Sequence, residues 1–338
     1  MRNDICVSVL CTAYNHEKYL RRCLDGFLMQ KTDFRFEVLV NDDVSTDHTA
    51  DILREYAARC PDIIRPVFQT ENQYSRGKLI NLEILLPLAR GKYIALCEGD
   101  DFWTDPYKLQ KQVDALEAHP DCHLCVHTVQ CVHEDGSPSD EVIPAQRIES
   151  GVLSPKEMEA LLIEYECPFQ TGSYFMRADA LTAFVQPIPE FRRISPVGDV
   201  CYLLYFMHLG GAFYIAEPMS CYRRNSVGSW TQRNMEKTNA QRTEHFRKMI
   251  AVMRAFDRYT GGAHAALCAQ KIWTYQTYIA LFTGEHEAFR RLVRRENRTF
   301  FWREDLCTRL LIVCGAYAPG ALRLYRRTKA LFQHGSKE

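Results

Sequence analysis

Acidic side chains crowd one short stretch of this 338-residue chain: Glu98, Asp100 and Asp101, with Asp105 just behind. They follow directly on the apolar run Tyr93-Ile94-Ala95-Leu96-Cys97, which reads as a buried strand. Open α/β sheets bind ligands in the crevice past the carboxyl ends of their strands. Like charges packed this closely repel unless a cation sits among them. A divalent ion such as Mg²⁺ or Mn²⁺ meets that need, since it prefers hard oxygen ligands and often holds substrate phosphates too. Taken alone, the run also reads as a solvated acidic turn. A second acidic strand end argues against that: Phe36-Glu37-Val38-Leu39-Val40 runs into Asn41-Asp42-Asp43-Val44-Ser45-Thr46-Asp47. Further upstream, Val7 to Thr12 ends in Ala13-Tyr14-Asn15.

Helix-like stretches separate these runs, at about Lys18 to Met29, Asp47 to Arg59 and Lys78 to Ala89. Ser45, Thr46 and Asp47 suit an N-cap for the second, and Gly91 suits the exit from the third. Strand alternating with helix three times specifies an α/β fold with a parallel sheet covered on its faces.

The order of these motifs resembles the family 2 glycosyltransferases of the GT-A fold, over about residues 5 to 230. Thr12-Ala13-Tyr14-Asn15 is similar to the family's opening pattern. Asp42-Asp43-Val44-Ser45-Thr46-Asp47 is similar to its second, with valine in the place of a glycine. Glu98-Gly99-Asp100-Asp101 matches its short acidic motif, with glutamate leading. Gly91 through Pro106 is similar to bacterial members that build surface polysaccharides. The resemblance implies a Rossmann-like nucleotide-binding sheet, a nucleotide-diphosphate sugar donor (a UDP-sugar foremost), a Mn²⁺ or Mg²⁺ cofactor, and inversion at the transferred carbon. It implies that Asp42 accepts a hydrogen bond from the nucleobase, that Thr12, Tyr14, Asn15 and Glu98 line the donor site, and that Asp100 contacts ribose or metal. Asp101 is then a metal ligand. Arg76 and Lys78, flanking Gly77, are candidate phosphate contacts, with a solvated loop as the other reading.

Activating an acceptor hydroxyl needs a base from a separate segment. Asp199, in Pro196-Val197-Gly198-Asp199 ahead of an apolar helical run, is that candidate; it could equally serve as an N-cap. Glu190 is the fallback. Tyr222-Arg223-Arg224-Asn225 resembles a family segment in which a histidine approaches the metal or diphosphate. Here Asn225 takes that position as a neutral oxygen ligand, and Arg223 and Arg224 become donor contacts. Pro168 to Tyr174 is expected to line the acceptor pocket.

Composition agrees with an ordinary folded enzyme: 46% hydrophobic and 25% charged residues. No run reaches the roughly 18 to 20 apolar residues of a membrane span. The first strand begins almost at the N-terminus, so the expectation is no signal peptide and a cytoplasmic location, with the enzyme on the inner face of the membrane as a further option. Formal charge is zero, but it is split: residues 1–221 carry about 20 basic and 33 acidic side chains, and 222–338 about 22 and 9. The expected domains are a catalytic domain over 1–230, divided into a donor part (1–105) and an acceptor part (106–230), and a helical basic region over 231–338. Asp135 to Ser154, with its glycines and prolines, reads as a linker.

Helices are expected at Asn234 to Tyr259, Ala263 to Phe282, Glu285 to Arg295 and Phe301 to Phe332. Phe246, Met249, Ile250, Met253 and Phe256 recur at core spacing. The last stretch mixes an apolar run, Leu306 to Val313, with Trp302, Tyr317, Tyr325, Arg323, Arg326, Arg327 and Lys329. Such a segment can lie in an anionic membrane interface or pack on its own domain.

The 14 cysteines are expected to be reduced. Cys122, Cys125, His127 and Cys131 could ligate zinc, but alternation over Cys122 to Val129 reads as a strand, which cannot bring such ligands together. Other functional classes are a nucleotidylyltransferase, though Thr12 to His16 lacks the glycines of a phosphate loop, and a non-catalytic nucleotide- or carbohydrate-binding module. No nucleic-acid motif accompanies the basic half, and no P-loop occurs.

Overall fold

A computed structural model of the chain describes residues 4–224, 226, 237–318 and 320. They fall into two units, one made of Met1–Ile188 with Asp199–Gln232 and the other of Pro189–Gly198 with Arg233–Glu338.

The first unit is built on strands β1 (Ile5–Ala13), β2 (Arg35–Asp42), β3 (Ile64–Phe68), β4 (Tyr93–Glu98), β5 (Phe102–Trp103), β6 (Leu124–Val132), β7 (Pro138–Ile143), β8 (Gly151–Leu153), β9 (Phe175–Arg177) and β10 (Ala212–Arg223). They form one sheet in the order β3-β2-β1-β4-β9-β6-β10-β5, with β7 paired to β6 and β8 to β10. The first four strands are mutually parallel. Their central residues, such as Val7, Val9, Val38, Val40 and Ala95, are buried, as expected of a parallel sheet covered on both faces. Helices α1 (Leu20–Leu28), α2 (Thr49–Arg59), α3 (Lys108–Ala118), α4 (Pro155–Glu164), α5 (Ala178–Phe184) and α7 (Gly198–Leu209) accompany the sheet. α7 buries Val200 to Met207 without a break, the pattern of a helix that is apolar all round.

Four expectations about elements change, one being that the helix expected from Phe301 onward breaks at Glu304 and Asp305. The third helix is instead a wide π-type turn over Ile80–Leu85 and a 3₁₀ turn over Leu86–Leu88, because Pro87 lacks an amide hydrogen and Glu83 Oε2 accepts the Leu79 amide at 2.8 Å. Asp135 to Ser154 is no linker but carries β7 and β8. The residues of β7 are largely exposed, so an edge strand reads in sequence like a polar loop. α2 begins at Thr49, behind the expected caps, yet Asp47 still acts at its start. Its Oδ1 accepts the Thr49 amide at 2.9 Å, and Oδ2 accepts the Glu17 amide at 3.0 Å.

The second unit contains α6 (Glu190–Arg193), α8 (Asn239–Tyr259), α9 (Ala265–Thr283), α10 (His286–Leu292), α11 (Arg298–Arg303) and α12 (Leu306–Tyr317). Met249, Ile250, Met253 and Phe256 are buried, and Phe246 stacks on Tyr275. Among the described residues no helix is long and apolar enough to cross a membrane.

A polar knot ties the strand starts of the first unit. Glu37 has no exposed side-chain surface, yet it carries a charge. Ser8 Oγ donates to its Oε1 at 2.8 Å, the Arg90 amide donates to the same oxygen at 2.9 Å, and the Arg90 guanidinium reaches Oε2 at 2.6 Å, with Arg65 on the same oxygen. Burial alone would raise the Glu37 pKa; the bonds from Arg90, Ser8 and Arg65 outweigh it and hold the carboxyl below its ordinary 4.5. Gly91 is required beside this knot, since a Cβ there would stand 2.4 Å from the Ser8 nitrogen. Glu37→Gln should therefore cost about 1–3 kcal/mol at pH 7. A lowered folded pKa stabilises above the unfolded value and is lost as pH falls through the folded one, so the gap between wild type and variant should close below pH 4.5. Urea unfolding at pH 7 and in mild acid measures both.

Candidate functional site

The parallel register sets the site. Thr12 on β1 lies between Asn41 on β2 and Glu98 on β4, and Ala13 pairs with Asp42, so three strand ends deliver their side chains to one crevice. Asp42 is buried and accepts the Ser45 amide at 3.3 Å. Asn15 interlocks with the next loop: its amide donates to Ser45 Oγ at 2.9 Å, and its Oδ1 accepts the Thr46 amide at 2.8 Å. Asn15 has φ +55° and Val44 φ +65°. Val44 thus occupies, with a β-branched side chain, a left-handed conformation that glycine adopts freely, a strain on the order of 1–3 kcal/mol. Tyr14 is exposed at the mouth.

Asp43 hangs the following loop from this end. Its carboxylate accepts the Gln73 amide at 2.7 Å and the Tyr74 amide at 2.9 Å. Arg76 and Lys78 ride on that loop with exposed side chains. Arg76 pairs with Glu71, and Lys78 stands 3.7 Å from Glu83.

Carboxylate oxygens of Glu98, Asp100 and Asp101 lie within 4.8 Å of one another. Glu98 meets solvent but stands in a recess; desolvation there, then the charges of Asp100 and Asp199, push its carboxyl up to about 8. Burial raises Asp101 as well, with Asp100 and Glu98 adding to it. Such a group is short of positive charge, and its three hard oxygen donors fit a divalent ion of the Mg²⁺ or Mn²⁺ type. Among the described residues it is the one cluster of histidine, cysteine or acidic groups with this geometry. The cysteines of β6 are free and buried along a strand, and no zinc group forms there.

The acidic turn is held from behind. Asp101 Oδ2 accepts the Gln170 side-chain amide at 2.8 Å, and Oδ1 accepts the Arg223 backbone amide at 2.8 Å. Gln170 is itself oriented, since its Oε1 accepts the Gly172 amide. Ser226 donates to Asp100 Oδ2 at 2.6 Å. Beneath the 170–174 turn, Lys108 donates to Gln112 at 2.7 Å, and Gln112 donates to the Ser173 carbonyl at 3.0 Å. Burial pushes the Lys108 amine down to about 7.

Several expected roles are revised by these contacts. The Arg223 guanidinium turns inward, donating to the carbonyls of Asp100 at 2.9 Å and Glu134 at 2.5 Å and lying over Tyr19. Its geometry is that of a brace for the acidic turn. Arg224 pairs with Glu141 at 2.8 Å on the β6–β7 hairpin. The segment expected at the acceptor pocket sends Gln170 to Asp101 instead. Asn225 lies outside the described residues. Asp199 sits in the first turn of α7, near enough for its charge to act on Glu98, Cys167 and Tyr174. Glu190, in the second unit, pairs with Arg258 at 2.9 Å.

Sequence reasoning gave Gln170, Ser226 and His16 no role at the acidic turn; it placed Gln170 only within the segment expected at the acceptor pocket. His16 Nδ1 is buried without a partner among the described residues and would stand 2.8 Å from a Cβ on Gly99. The hydrogen bonds of Gln170 and Ser226 to the acidic turn exist only through the fold.

Comparison with known proteins adds a family match. The family model described as glycosyl transferase family 2 matches residues 8–182. The uncharacterized protein Rv1520 of Mycobacterium tuberculosis is 39% identical over 229 residues, covering 66% of this chain and 60% of that protein. The Bacillus subtilis protein TuaG, named as a teichuronic acid biosynthesis glycosyltransferase, is 31% identical over 139 residues, 41% of this chain and 52% of its own. The chain thus spans about three-fifths or less of these relatives. Residues 1–349 of S. aureus TarS, solved with UDP-GlcNAc, superpose with a TM-score of 0.63 at 16% identity, covering 96% of this chain and 92% of that one. That likeness shows the fold: a GT-A sheet with a helical C-terminal part.

The clamp on Asp101 makes a direct prediction. Gln170→Leu leaves a buried carboxylate oxygen without its donor and should cost about 1–3 kcal/mol of stability. In an Asp101→Ala background the same change should cost far less, giving a coupling of about 1 kcal/mol or more in a double-mutant unfolding cycle. Additive effects would mean the two residues act independently.

Proposed function

The chain belongs to glycosyl transferase family 2, and from that premise we propose an inverting glycosyltransferase of surface-polysaccharide synthesis. It takes a sugar from a nucleotide-diphosphate donor, a UDP-sugar, and passes it to a saccharide or lipid-linked saccharide of a capsule, O-antigen or lipopolysaccharide. The observation that carries this reading is the convergence of Asp42, the Glu98–Asp100–Asp101 group and Asp199 around one set of strand ends.

Asp42 accepts from the nucleobase at the β2 end, with Thr12, Tyr14 and Asn15 shaping the same wall. Glu98, Asp100 and Asp101, with Asn225 as a neutral oxygen ligand, would hold a Mn²⁺ or Mg²⁺ ion, which would supply positive charge for the diphosphate leaving group. Arg76 and Lys78, on the loop hung from Asp43, serve as phosphate contacts. Arg223 serves the donor through Asp100 and Asp101.

Asp199 takes the proton of the acceptor hydroxyl as that oxygen forms its bond to the anomeric carbon. The bond from that carbon to the diphosphate oxygen breaks, and its electron pair leaves with the nucleoside diphosphate. Attack and departure on opposite faces invert the configuration. The name of TuaG supports a polysaccharide product.

Donor binding across a panel of nucleotide sugars, by calorimetry with and without Mn²⁺, tests the donor half. One donor should bind in a metal-dependent way, and Asp101→Ala should abolish that dependence. Binding indifferent to both would remove the metal from the reading. For the base, Asp199→Asn should lower kcat about 100-fold or more while leaving donor KM within a few-fold. An unchanged kcat would assign the proton to another group.

A further inference from the structure

Helix α12 is apolar on two opposite faces. Inward, Ile312 and Ala316 are buried, and a Cβ on Gly315 would stand 2.4 Å from the Phe289 ring. The His286 ring nitrogen Nδ1 meets the Gly315 carbonyl at 2.9 Å, fixing which side of the helix points in. Outward, Leu306, Leu310, Val313 and Tyr317 follow one another at steps of four, three and four, which is one face of a helix. They are 63%, 55%, 38% and 68% exposed. Trp302, 59% exposed on α11, joins this stripe through Arg309, whose guanidinium lies 5.0 Å from its ring.

A helix that is apolar all round is normally buried on every side. Together these five side chains offer roughly 500 Å² of mostly apolar surface, the scale at which a patch marks an interaction site. The neighbouring charge indicates the partner. Residues 294–309 carry Arg294, Arg295, Arg298, Arg303 and Arg309 against Glu296, Glu304 and Asp305; Arg294, Arg295 and Arg298 are exposed without a carboxylate partner among the described residues, while Arg303 donates to Gln270 at 3.1 Å.

We propose that this stripe docks the protein on an anionic lipid bilayer. Leu306, Leu310 and Val313 enter the headgroup–acyl boundary, Trp302 and Tyr317 sit at headgroup level, and Arg294, Arg295 and Arg298 meet anionic lipid. A short apolar helix binds a bilayer weakly by itself, and a basic cluster does the same; the two together give stable attachment. A second copy of the chain fits less well. The stripe falls short of the roughly 800 Å² per partner of a stable interface, and the surrounding arginines would repel. The inference does not depend on the transfer reaction.

Flotation of the full chain with vesicles tests it. Wild type should co-float with phosphatidylglycerol/phosphatidylcholine vesicles and bind at least tenfold less to phosphatidylcholine alone. Leu306→Ser/Leu310→Ser should lose at least tenfold on the anionic vesicles while keeping the wild-type melting temperature. If that variant melts lower, Tyr317→Gln and Trp302→Gln carry the same comparison, because both side chains are exposed. Brominated lipid should quench wild-type tryptophan fluorescence, and Trp302→Phe should remove that quenching. Wild type that stays with the aqueous fraction, or serine variants that float like wild type, would overturn the proposal. So would sedimentation showing wild type as a dimer and the serine variant as a monomer, since the stripe would then belong to a second copy.

Discussion

Negative charge gathered at one end of a parallel sheet is the constraint around which this molecule is arranged. Parallel strands end in register, so acidic residues placed one after each of β2 and β4 have no choice but to share a crevice. Burial first, and then the charges of neighbouring carboxylates, raise the Glu98 and Asp101 carboxyls and work against keeping the turn closed. The fold answers with hydrogen-bond donors from distant chain segments. Gln170, the Arg223 amide and Ser226 each hold an oxygen of Asp100 or Asp101. A carboxylate oxygen has a second lone pair, so a held Asp101 is oriented and still able to ligate.

Opposite charge logic operates at the other end of the same strands. There a single carboxylate, Glu37, is buried among Ser8, Arg65 and Arg90 and is overcompensated. That knot sets the starts of β1, β2 and β4 relative to each other. Because strand geometry is periodic, fixing the starts also fixes which residues arrive at the crevice. Val44 shows the tension at the site end: the loop keeps a left-handed turn with a side chain that disfavours it, held by Asn15 and Ser45.

The second unit follows a different rule. Its helices bury Met249, Met253 and Phe256 in the ordinary way, but α12 carries more apolar surface than its neighbours cover. In sequence this surface and the arginines beside it read as an undivided basic, aromatic segment. Only the packing of Gly315 on Phe289 separates an inward face from an outward one.

Legible in the residue order are the first two strand–helix alternations, the positions of both acidic strand ends and the separation into an acidic and a basic half. These are local properties: apolar runs, turn residues and charge, each readable within a dozen positions. Sequence reasoning misread Asp135 to Ser154, because an edge strand wetted on both sides has the composition of a loop. It expected Arg223 at the donor, and could not read the guanidinium's direction, which depends on the carbonyls near it, here those of Asp100 and Glu134. The tertiary structure alone decided that Gln170, 69 positions away in the chain, would hold Asp101. Contacts of that kind carry no periodic signal, since they exist only once β9 has paired between β4 and β6 and brought the 170–174 turn against the acidic one.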